Sequence, residues 1–120
     1  MKKFLVLFIL VLCLCGCGTK SGLKSITCSE KDEILKGNSN AMLIDVRSEE
    51  EYNEGHLDGA INMPYDKVVE ELSVYGIINM DVPLIVYCKS GGRSSEAADA
   101  LVDAGYNNVY DLGAMSNCDN

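Results

Sequence analysis

The chain has 120 residues, and its 18 acidic side chains outnumber its 10 basic side chains, so the net charge at pH 7 is −8. A polyanion such as nucleic acid, or a membrane surface rich in anionic lipid, is therefore an unfavourable partner. The length suits one small domain and is too short for two.

The first segment, residues 1–16, has the pattern of an export signal. Lys2 and Lys3 precede an unbroken apolar run over residues 4–15, which is typical of a secretory signal peptide. The run covers 12 residues, whereas a helix that spans a bilayer needs about 20. We therefore expect a cleaved export signal and not a transmembrane helix.

The export signal ends in LCGC, residues 14–17, which resembles a bacterial lipobox. Cleavage before Cys17 would leave 8 basic and 18 acidic residues, a net charge of −10. Lipid on Cys17 would form a stable anchor, because each buried methylene contributes about 0.8 kcal/mol. We expect a protein anchored by lipid to the extracytoplasmic side of a bacterial cell membrane, with residues 17–22 as a flexible tether. The alternative is ordinary secretion with Cys17 left free.

The remaining residues, 23–120, form the expected domain, in which short apolar runs alternate with segments of helical pattern. The expected elements, in chain order, are strand 25–28, helix 29–37, strand 41–46, helix 48–54, strand 60–63, helix 65–72, strand 83–87, helix 94–104 and strand 109–112. Ser29 is the expected N-cap of the first helix. Strands that alternate with helices indicate an α/β fold, with a parallel sheet covered by helices on both faces.

The stretch CKSGGRSS, residues 88–95, joins the clearest strand (83–87) to the clearest helix (94–104). In parallel α/β sheets, sites form beyond the carboxyl ends of the strands. Cys88 therefore lies where a functional site is expected.

Residues 88–94, named the cysteine loop below, contain features that stabilise negative charge. Gly91 and Gly92 permit a positive φ, so successive N–H groups can turn inward as an anion-binding nest. The following helix N-terminus adds unpaired donors, and Lys89 and Arg93 add two cations. These features predict a pKa of Cys88 below the free value of about 8.5, and thus a nucleophilic thiolate. The alternative is an inert buried cysteine before a glycine turn.

The cysteine loop resembles the active-site loop of rhodanese-family sulfurtransferases, C-x-x-G-x-R, with Cys88, Gly91 and Arg93 at the matching positions. Residues 43–64, LIDVRSEEEYNEGHLDGAINMP, are similar to the family's other signature, DVR followed by E-[FY], GH, GA, N and P. The resemblance extends over residues 26–113 and implies one rhodanese-like domain with a five-strand parallel sheet.

The resemblance also implies an activity, the transfer of sulfane sulfur. Cys88 would take sulfur from a donor such as thiosulfate or polysulfide, and pass it as a persulfide to a thiol or cyanide. Backbone N–H groups of the cysteine loop would hold the sulfur, and two side chains, Lys89 and Arg93, would orient the anionic donor. The residues expected to bind substrate are Lys89, Ser90, Gly91, Gly92, Arg93 and Ser94. No cofactor is needed for such a relay.

Four residues of the second signature, Asp45, Arg47, Glu51 and His56, are expected to support the structure. Asp45 and Arg47 end a strand, and Arg47 is expected to pair with an acid such as Glu51; direct contact with substrate is the less favoured alternative. His56 is the only histidine. We expect it to support a turn by hydrogen bonding, because a thiolate that is already ionised needs no general base.

Cys28 and Cys118 leave two pairings open. The family often continues its last strand as Gly-Gly and later Trp, whereas this chain has GAMSNC over residues 113–118 and no Trp. A Cys28–Cys118 disulfide would join the ends of the domain and leave Cys88 free. A Cys88–Cys118 pair would make Cys118 a resolving thiol. We favour the first pairing, since the family places its first and last strands side by side.

Other functions fit the sequence less well. A non-enzymatic docking module would usually lack the cysteine, and a thiol redox protein would use Cys88 with Cys118. Cysteine phosphatases have five residues between Cys and Arg, whereas here there are four, residues 89–92. One histidine and scattered cysteines lack the spacing of a metal site. Because an exported thiolate is open to oxidation, an extracytoplasmic thiol reductant is an expected partner.

Overall fold

The computed structural model describes residues 21–119 of the chain. The predicted signal peptide (1–16), the predicted lipidation site Cys17 and most of the tether (17–22) lie outside the described residues. Within residues 21–119, none of the helices combines the length and the apolar character that crossing a bilayer requires.

Strands and helices alternate along this part of the chain. The strands are β1 (Leu23–Ser25), β2 (Met42–Asp45), β3 (Ile61–Asn62), β4 (Leu84–Cys88) and β5 (Val109–Ala114). The α-helices are α1 (Cys28–Gly37), α2 (Glu49–Glu54), α3 (Val68–Val74) and α4 (Gly92–Asp103), and a 3-10 helix covers Met115–Cys118. The strands form one parallel sheet in the order β1-β5-β4-β2-β3. The predicted α/β fold with a five-strand parallel sheet is confirmed.

The central strand, β4, shows why the sequence folds in this way. All five of its residues, LIVYC, are buried, as expected for a parallel strand covered on both faces. One hydrophobic cluster contains residues of α3 and α4, such as Leu72 and Leu101. The cluster on the other face includes Ile34 of α1 and Tyr52 of α2. Each face of the sheet is therefore covered by two helices.

The first strand and helix begin earlier in the chain than predicted. The predicted strand 25–28 was placed too late, because β1 pairs with β5 up to Ser25. Thr27, and not Ser29, is the N-cap of α1. The Glu30 N–H donates to Thr27 Oγ1 at 3.2 Å, and the Thr27 N–H donates to Glu30 Oε1 at 3.0 Å. This reciprocal capping box leaves Cys28 in the first turn of a helix and not at the end of a strand.

The helix after the cysteine loop also begins earlier than predicted. α4 starts at Gly92, two residues before the expected start at Ser94. Its N-cap is Gly91, whose φ of 103° lies in the left-handed region that favours glycine. Ser94 consequently belongs to the first turn of α4, where the backbone N–H groups have no partner within the helix.

Because the strands are parallel, their carboxyl ends meet at one edge of the sheet, named the carboxyl edge, and their amino ends meet at the other, named the amino edge. The cysteine loop continues from the end of β4. Arg47 comes one residue after the end of β2, and the 3-10 helix follows β5 directly. All three therefore lie at the carboxyl edge.

Candidate active site

The cysteine loop places two backbone N–H groups against one sulfur atom. Cys88 ends β4 and is buried, and it is the free thiol among residues 21–119. The Gly91 N–H donates to Cys88 Sγ at 3.0 Å, and the Ser94 N–H donates to it at 3.3 Å. The left-handed Gly91 allows the chain to turn back over the sulfur within three residues. The predicted nest of inward N–H groups is thus built around the thiol itself.

This arrangement lowers the pKa of Cys88 below its ordinary value. Burial is the largest single influence and raises the pKa, but hydrogen bonds together lower it by more. The donors are the Ser94 side chain and the backbone N–H groups of Ser94, Gly91 and Ser90. The Ser94 hydroxyl also donates to the Gly91 carbonyl oxygen at 3.1 Å. Because the hydroxyl has one proton, it donates either to the thiolate or to this carbonyl oxygen. The thiolate is the form of cysteine that attacks sulfur.

The Arg93 guanidinium is paired with Glu51. Arg93 Nη1 lies 2.6 Å from Glu51 Oε1, and Nη2 lies 3.0 Å from Oε2. The hydrogen bond from Arg93 is the main cause that lowers the pKa of Glu51 to about 2. Arg47 was expected to pair with an acid such as Glu51; that example is wrong, because Glu51 pairs with Arg93 and the acid that pairs with Arg47 is Asp45. The predicted role of Arg93, orienting an anionic donor, stays a prediction, and its charge is shared with a carboxylate.

Arg47 pairs with Asp45, the last residue of β2, and both side chains are buried. Arg47 Nη2 donates to Asp45 Oδ2 at 2.7 Å, and Nε donates to Oδ1 at 3.0 Å. Arg47 Nη2 also donates to the Gly55 carbonyl oxygen at 2.6 Å. The hydrogen bond to Asp45 is the main cause that raises the pKa of Arg47. Both residues hold the segment after α2 in place, which is a structural role.

Tyr87 completes this network and was not identified from the sequence as more than a strand residue. Its hydroxyl donates to Asp45 Oδ2 at 2.8 Å and accepts from the Leu57 N–H at 3.0 Å. Burial is the main cause that raises the pKa of Tyr87 above its ordinary value. The available signal was a tyrosine in an otherwise aliphatic buried strand, since a buried hydroxyl must find a partner.

His56 takes part in a turn and has no contact with Cys88. Its Nδ1 lies 3.0 Å from the Tyr52 carbonyl oxygen. Its ring stacks on the Tyr52 ring, with the two centroids 3.8 Å apart. The side chain is exposed at the end of α2. These contacts match the structural role expected for His56 and leave the thiolate without a histidine base.

Cys28 and Cys118 are joined by a disulfide, with their Cα atoms 5.2 Å apart. The bond links the first turn of α1 to the 3-10 helix after β5. It is the first of the two pairings that the sequence left open. Cys118 is therefore engaged in the structure, and Cys88 has no thiol partner among the described residues.

A groove of about 530 Å³ lies at the carboxyl edge beside the cysteine loop. Lys89 lines it from the loop, and Met115 and Ser116 line it from the 3-10 helix that the disulfide holds. Lys89 is exposed, and within residues 21–119 it forms no ion pair. The groove therefore offers an approaching anion one free ammonium group. The lining residues of the 3-10 helix were not predicted, because this segment departs from the signature.

Comparisons with known proteins agree with this geometry. Residues 28–116 match the family described as Rhodanese-like domain. The chain is 30% identical over 92 residues to the thiosulfate sulfurtransferase GlpE of Shewanella oneidensis, which covers 77% of this chain and 87% of that protein. It is 35% identical over 72 residues to the thiosulfate sulfurtransferase PspE of Escherichia coli, which covers 60% of this chain and 68% of that protein. The solved structure of the human single-domain sulfurtransferase TSTD1 has a TM-score of 0.66 at 23% identity, over 83% of this chain and 95% of that chain.

Proposed function

The chain belongs to the rhodanese-like domain family, and from this membership we propose that it is an extracytoplasmic sulfurtransferase that carries sulfane sulfur as a persulfide on Cys88. The enzyme class, a rhodanese-type sulfurtransferase, follows from the relatives. The observation that carries the proposal is the pair of N–H donors, from Gly91 and Ser94, at 3.0 and 3.3 Å from Cys88 Sγ. The proposed donors are thiosulfate or polysulfide, and the proposed acceptors are a thiol or cyanide.

In the first half-reaction, the Cys88 thiolate attacks the outer sulfur of thiosulfate. A new S–S bond forms at Cys88, the S–S bond of thiosulfate breaks, and sulfite leaves with the electron pair of that bond. The product is a Cys88 persulfide anion. N–H groups already directed at the sulfur need little rearrangement to stabilise the charge as it moves to the terminal sulfur.

In the second half-reaction, an acceptor thiolate attacks the terminal sulfur of the persulfide. The acceptor gains the sulfur as its own persulfide, and the Cys88 thiolate leaves with the electrons of the broken S–S bond. Cyanide as acceptor gives thiocyanate. Both steps are substitutions at sulfur with no net change in electron count, so the relay needs neither a cofactor nor an external oxidant.

The buried position of Cys88 has a role in this scheme. Its relative exposure is 0%, and the proposed approach of the donor is from the groove that Lys89 lines. Lys89, exposed at the groove, is the cation that the donor meets. A buried thiolate is also less accessible to oxidants, which matters outside the cytoplasm.

The proposed location depends on the sequence of residues 1–22. The export signal and the lipobox support cleavage before Cys17 and lipidation of that residue. Metabolic labelling with a palmitate analogue tests this point, with Cys17→Ser as the control. We expect label in the parent protein and none in the variant; equal labelling of both would contradict the anchor.

A membrane-linked thiol reductant is the proposed partner in this compartment. It would reduce any sulfenic acid or mixed disulfide formed at Cys88. Activity should therefore decline in cells that lack exported thiol-reducing systems. Unchanged activity in such cells would contradict the partnership and leave the sulfur transfer itself untouched.

The sulfur transfer is tested by the stoichiometry of the half-reactions. Purified protein with thiosulfate and cyanide should release one sulfite for each thiocyanate formed, and Cys88→Ser should do neither. Lys89→Ala is a second variant that keeps the nucleophile and should raise the KM for thiosulfate. If the parent protein transfers sulfur from neither thiosulfate nor polysulfide, the domain is a docking module and the proposal is wrong.

A further inference from the structure

The two edges of the sheet differ sharply in charge. The carboxyl edge carries many charged side chains in and beside the site, among them Arg47, Glu51, Glu54, Lys89 and Arg93. At the amino edge, three loops lead from helices into strands, over residues 38–41, 75–83 and 104–108. These loops contain one charged residue, Asp81, in 18 residues. At the chain's 23% content of charged residues, about four would be expected.

Four of the five large apolar side chains that are exposed in residues 21–119 lie at the amino edge. Val74 and Ile78 are each 82% exposed, Tyr75 is 61% exposed and Met80 is 37% exposed. These four residues, named the apolar patch, lie at the end of α3 and in the loop that follows. Exposed apolar side chains that are this concentrated usually mark an interaction surface.

The N-terminal end of the domain lies beside the apolar patch. The Val109 N–H donates to the Gly22 carbonyl oxygen at 2.8 Å, and a Cβ added to Gly22 would lie 3.0 Å from the Asn107 carbonyl oxygen. The Asn107 N–H in turn donates to the Met80 carbonyl oxygen at 2.8 Å. Gly22, Asn107 and Met80 are thus neighbours at the amino edge.

The tether that precedes Gly22 is short. Gly22 lies five positions after Cys17 in the chain, and five residue steps span at most about 18 Å when fully extended. A lipid on Cys17 would therefore hold the amino edge close to the membrane surface at all times. A short tether of this kind converts weak contact into frequent contact, because binding becomes intramolecular.

We infer that the amino edge rests on the lipid–water interface through the apolar patch, so that the carboxyl edge, with Cys88, faces away from the membrane. The proximity to the membrane rests on the lipid anchor proposed above, whereas the inference does not depend on sulfur transfer. The loops of the amino edge, with Asp81 as their one charged residue, suit a neutral lipid surface, and this orientation keeps the acidic side chains of the carboxyl edge away from it. Apolar side chains and tyrosine are the residue types that bind at such interfaces.

The orientation has a functional consequence. With the amino edge against lipid, the groove beside the cysteine loop opens toward the aqueous phase. The site is then accessible to soluble thiols and sulfur anions and to the exposed domain of a membrane-linked reductant. It is not positioned to take sulfur from a molecule dissolved in the bilayer.

A tryptophan reporter tests the orientation, because the chain contains no Trp. Tyr75→Trp places the reporter in the apolar patch. Tyr65→Trp is the matched control at the carboxyl edge, where the Tyr65 N–H donates to the carbonyl oxygen of Val46, the residue after β2. Both variants replace one exposed tyrosine with tryptophan.

The anchor is supplied chemically, so that the test does not depend on processing in the cell. The chain from Cys17 onward, which includes every described element, is prepared with Cys88→Ser so that Cys17 is its free thiol. Cys17 is then coupled to a maleimide lipid in phosphatidylcholine vesicles. We expect a blue shift of Tyr75→Trp emission and quenching by brominated lipid at least threefold stronger than for Tyr65→Trp. Adding Val74→Ser and Ile78→Ser should abolish the difference.

Three results would overturn the inference. Equal quenching of both reporters would mean that the domain has no preferred orientation on the membrane. No quenching of either reporter would mean that the domain does not contact the lipid. A dimer in vesicle-free solution that Ile78→Ser dissociates would assign the apolar patch to a second copy of the chain. The palmitate labelling described above separately tests the native anchor, so failure of the anchor and failure of the interface are distinguishable.

Discussion

Glu51 and Arg93, 42 residues apart in the chain, form a two-pronged ion pair with N–O distances of 2.6 and 3.0 Å. The pair connects α2 to the first turn of α4, immediately beside the thiol. It neutralises the arginine that the C-x-x-G-x-R pattern supplies. In the described part of the chain, Lys89 is consequently the cation of the cysteine loop that remains free to meet an anionic donor.

The ion pair predicts the effect of Glu51→Gln on donor binding. Glutamine keeps the capping interaction with Ser48 but frees the Arg93 charge. We expect the KM for thiosulfate to fall up to about tenfold, the size of one added partly screened charge interaction. Glu54→Gln, which removes an acid of the same groove that does not pair with Arg93, is the control and should change the KM less. A higher KM in Glu51→Gln would show instead that Glu51 holds Arg93 in its binding position.

The hydrogen bonds to Cys88 predict a pH dependence. Because the folded-state pKa of this acid is lowered, the persulfidation rate should rise with pH and reach its plateau below the pH that a free cysteine requires, about 8.5. Ser94→Ala removes one of the groups that lower this pKa. It should move the midpoint of the pH–rate profile upward and slow the reaction at pH 7 by about threefold to tenfold.

The control for Ser94→Ala is Ser95→Ala, which removes a hydroxyl from the next, exposed residue. Ser95→Ala should leave the midpoint where it is. The same midpoint is measured as the rate of alkylation by iodoacetamide, which reports the thiolate directly, in chains that carry Cys17→Ser so that Cys88 is the thiol that reacts. If the midpoint of Ser94→Ala stays at that of the parent protein, the backbone N–H groups alone set the pKa.

How much of this site follows from the sequence depends on the range of each interaction. Cys88, Gly91 and the following helix are consecutive, so the sequence alone predicts the loop and its donors. The partners of Arg47 and Arg93 depend on how separated segments pack. Both arginines had a nearby acid in the sequence, and only the side-chain positions show that Arg47 pairs with Asp45 and Arg93 with Glu51.

The strands and helices also differ in how well the sequence predicts them, depending on whether local pattern or pairing with a distant segment sets their position. β4 and α4 were predicted to within two residues because strong hydrophobic periodicity marks them. β1 was misplaced, since its three residues carry little apolar signal, with one half-buried and two exposed. Its position is set by pairing with β5. The sequence contains the Thr27-x-x-Glu30 pattern of a capping box, which gives the start of α1 correctly, whereas Ser29 lies two residues further on.

The disulfide predicts a large effect on stability and a small effect on chemistry. Cys28 and Cys118 are 90 residues apart, and closing so long a loop stabilises a fold by about 2–5 kcal/mol. The double variant Cys28→Ser, Cys118→Ser should unfold at correspondingly lower urea concentration and still accept sulfur on Cys88. Reductant should lower the urea midpoint of Cys88→Ser and leave that of the double variant unchanged. Loss of persulfidation in a folded double variant would mean that Cys118 takes part in the reaction.

Asp45 accepts hydrogen bonds from Arg47 and Tyr87, and these buried hydrogen bonds predict how far two substitutions lower the free energy of unfolding. Tyr87→Phe removes the hydroxyl that donates to Asp45 and accepts from Leu57, and it should cost about 1–3 kcal/mol of the free energy of unfolding. Asp45→Asn leaves Arg47 without its carboxylate and should cost about 3–5 kcal/mol. Urea unfolding measures both. Equal costs for the two variants would contradict the assignment of Asp45 as the centre of the network.

The central claim, that Cys88 carries sulfur, is tested most directly by the intact mass of the purified domain before and after thiosulfate. We predict that the parent protein gains one sulfur atom, about 32 Da, that cyanide removes it, and that Cys88→Ser gains nothing. The account is contradicted if neither thiosulfate nor polysulfide changes the mass of the parent protein. It is also contradicted if Cys88→Ser still gains the mass of one sulfur atom.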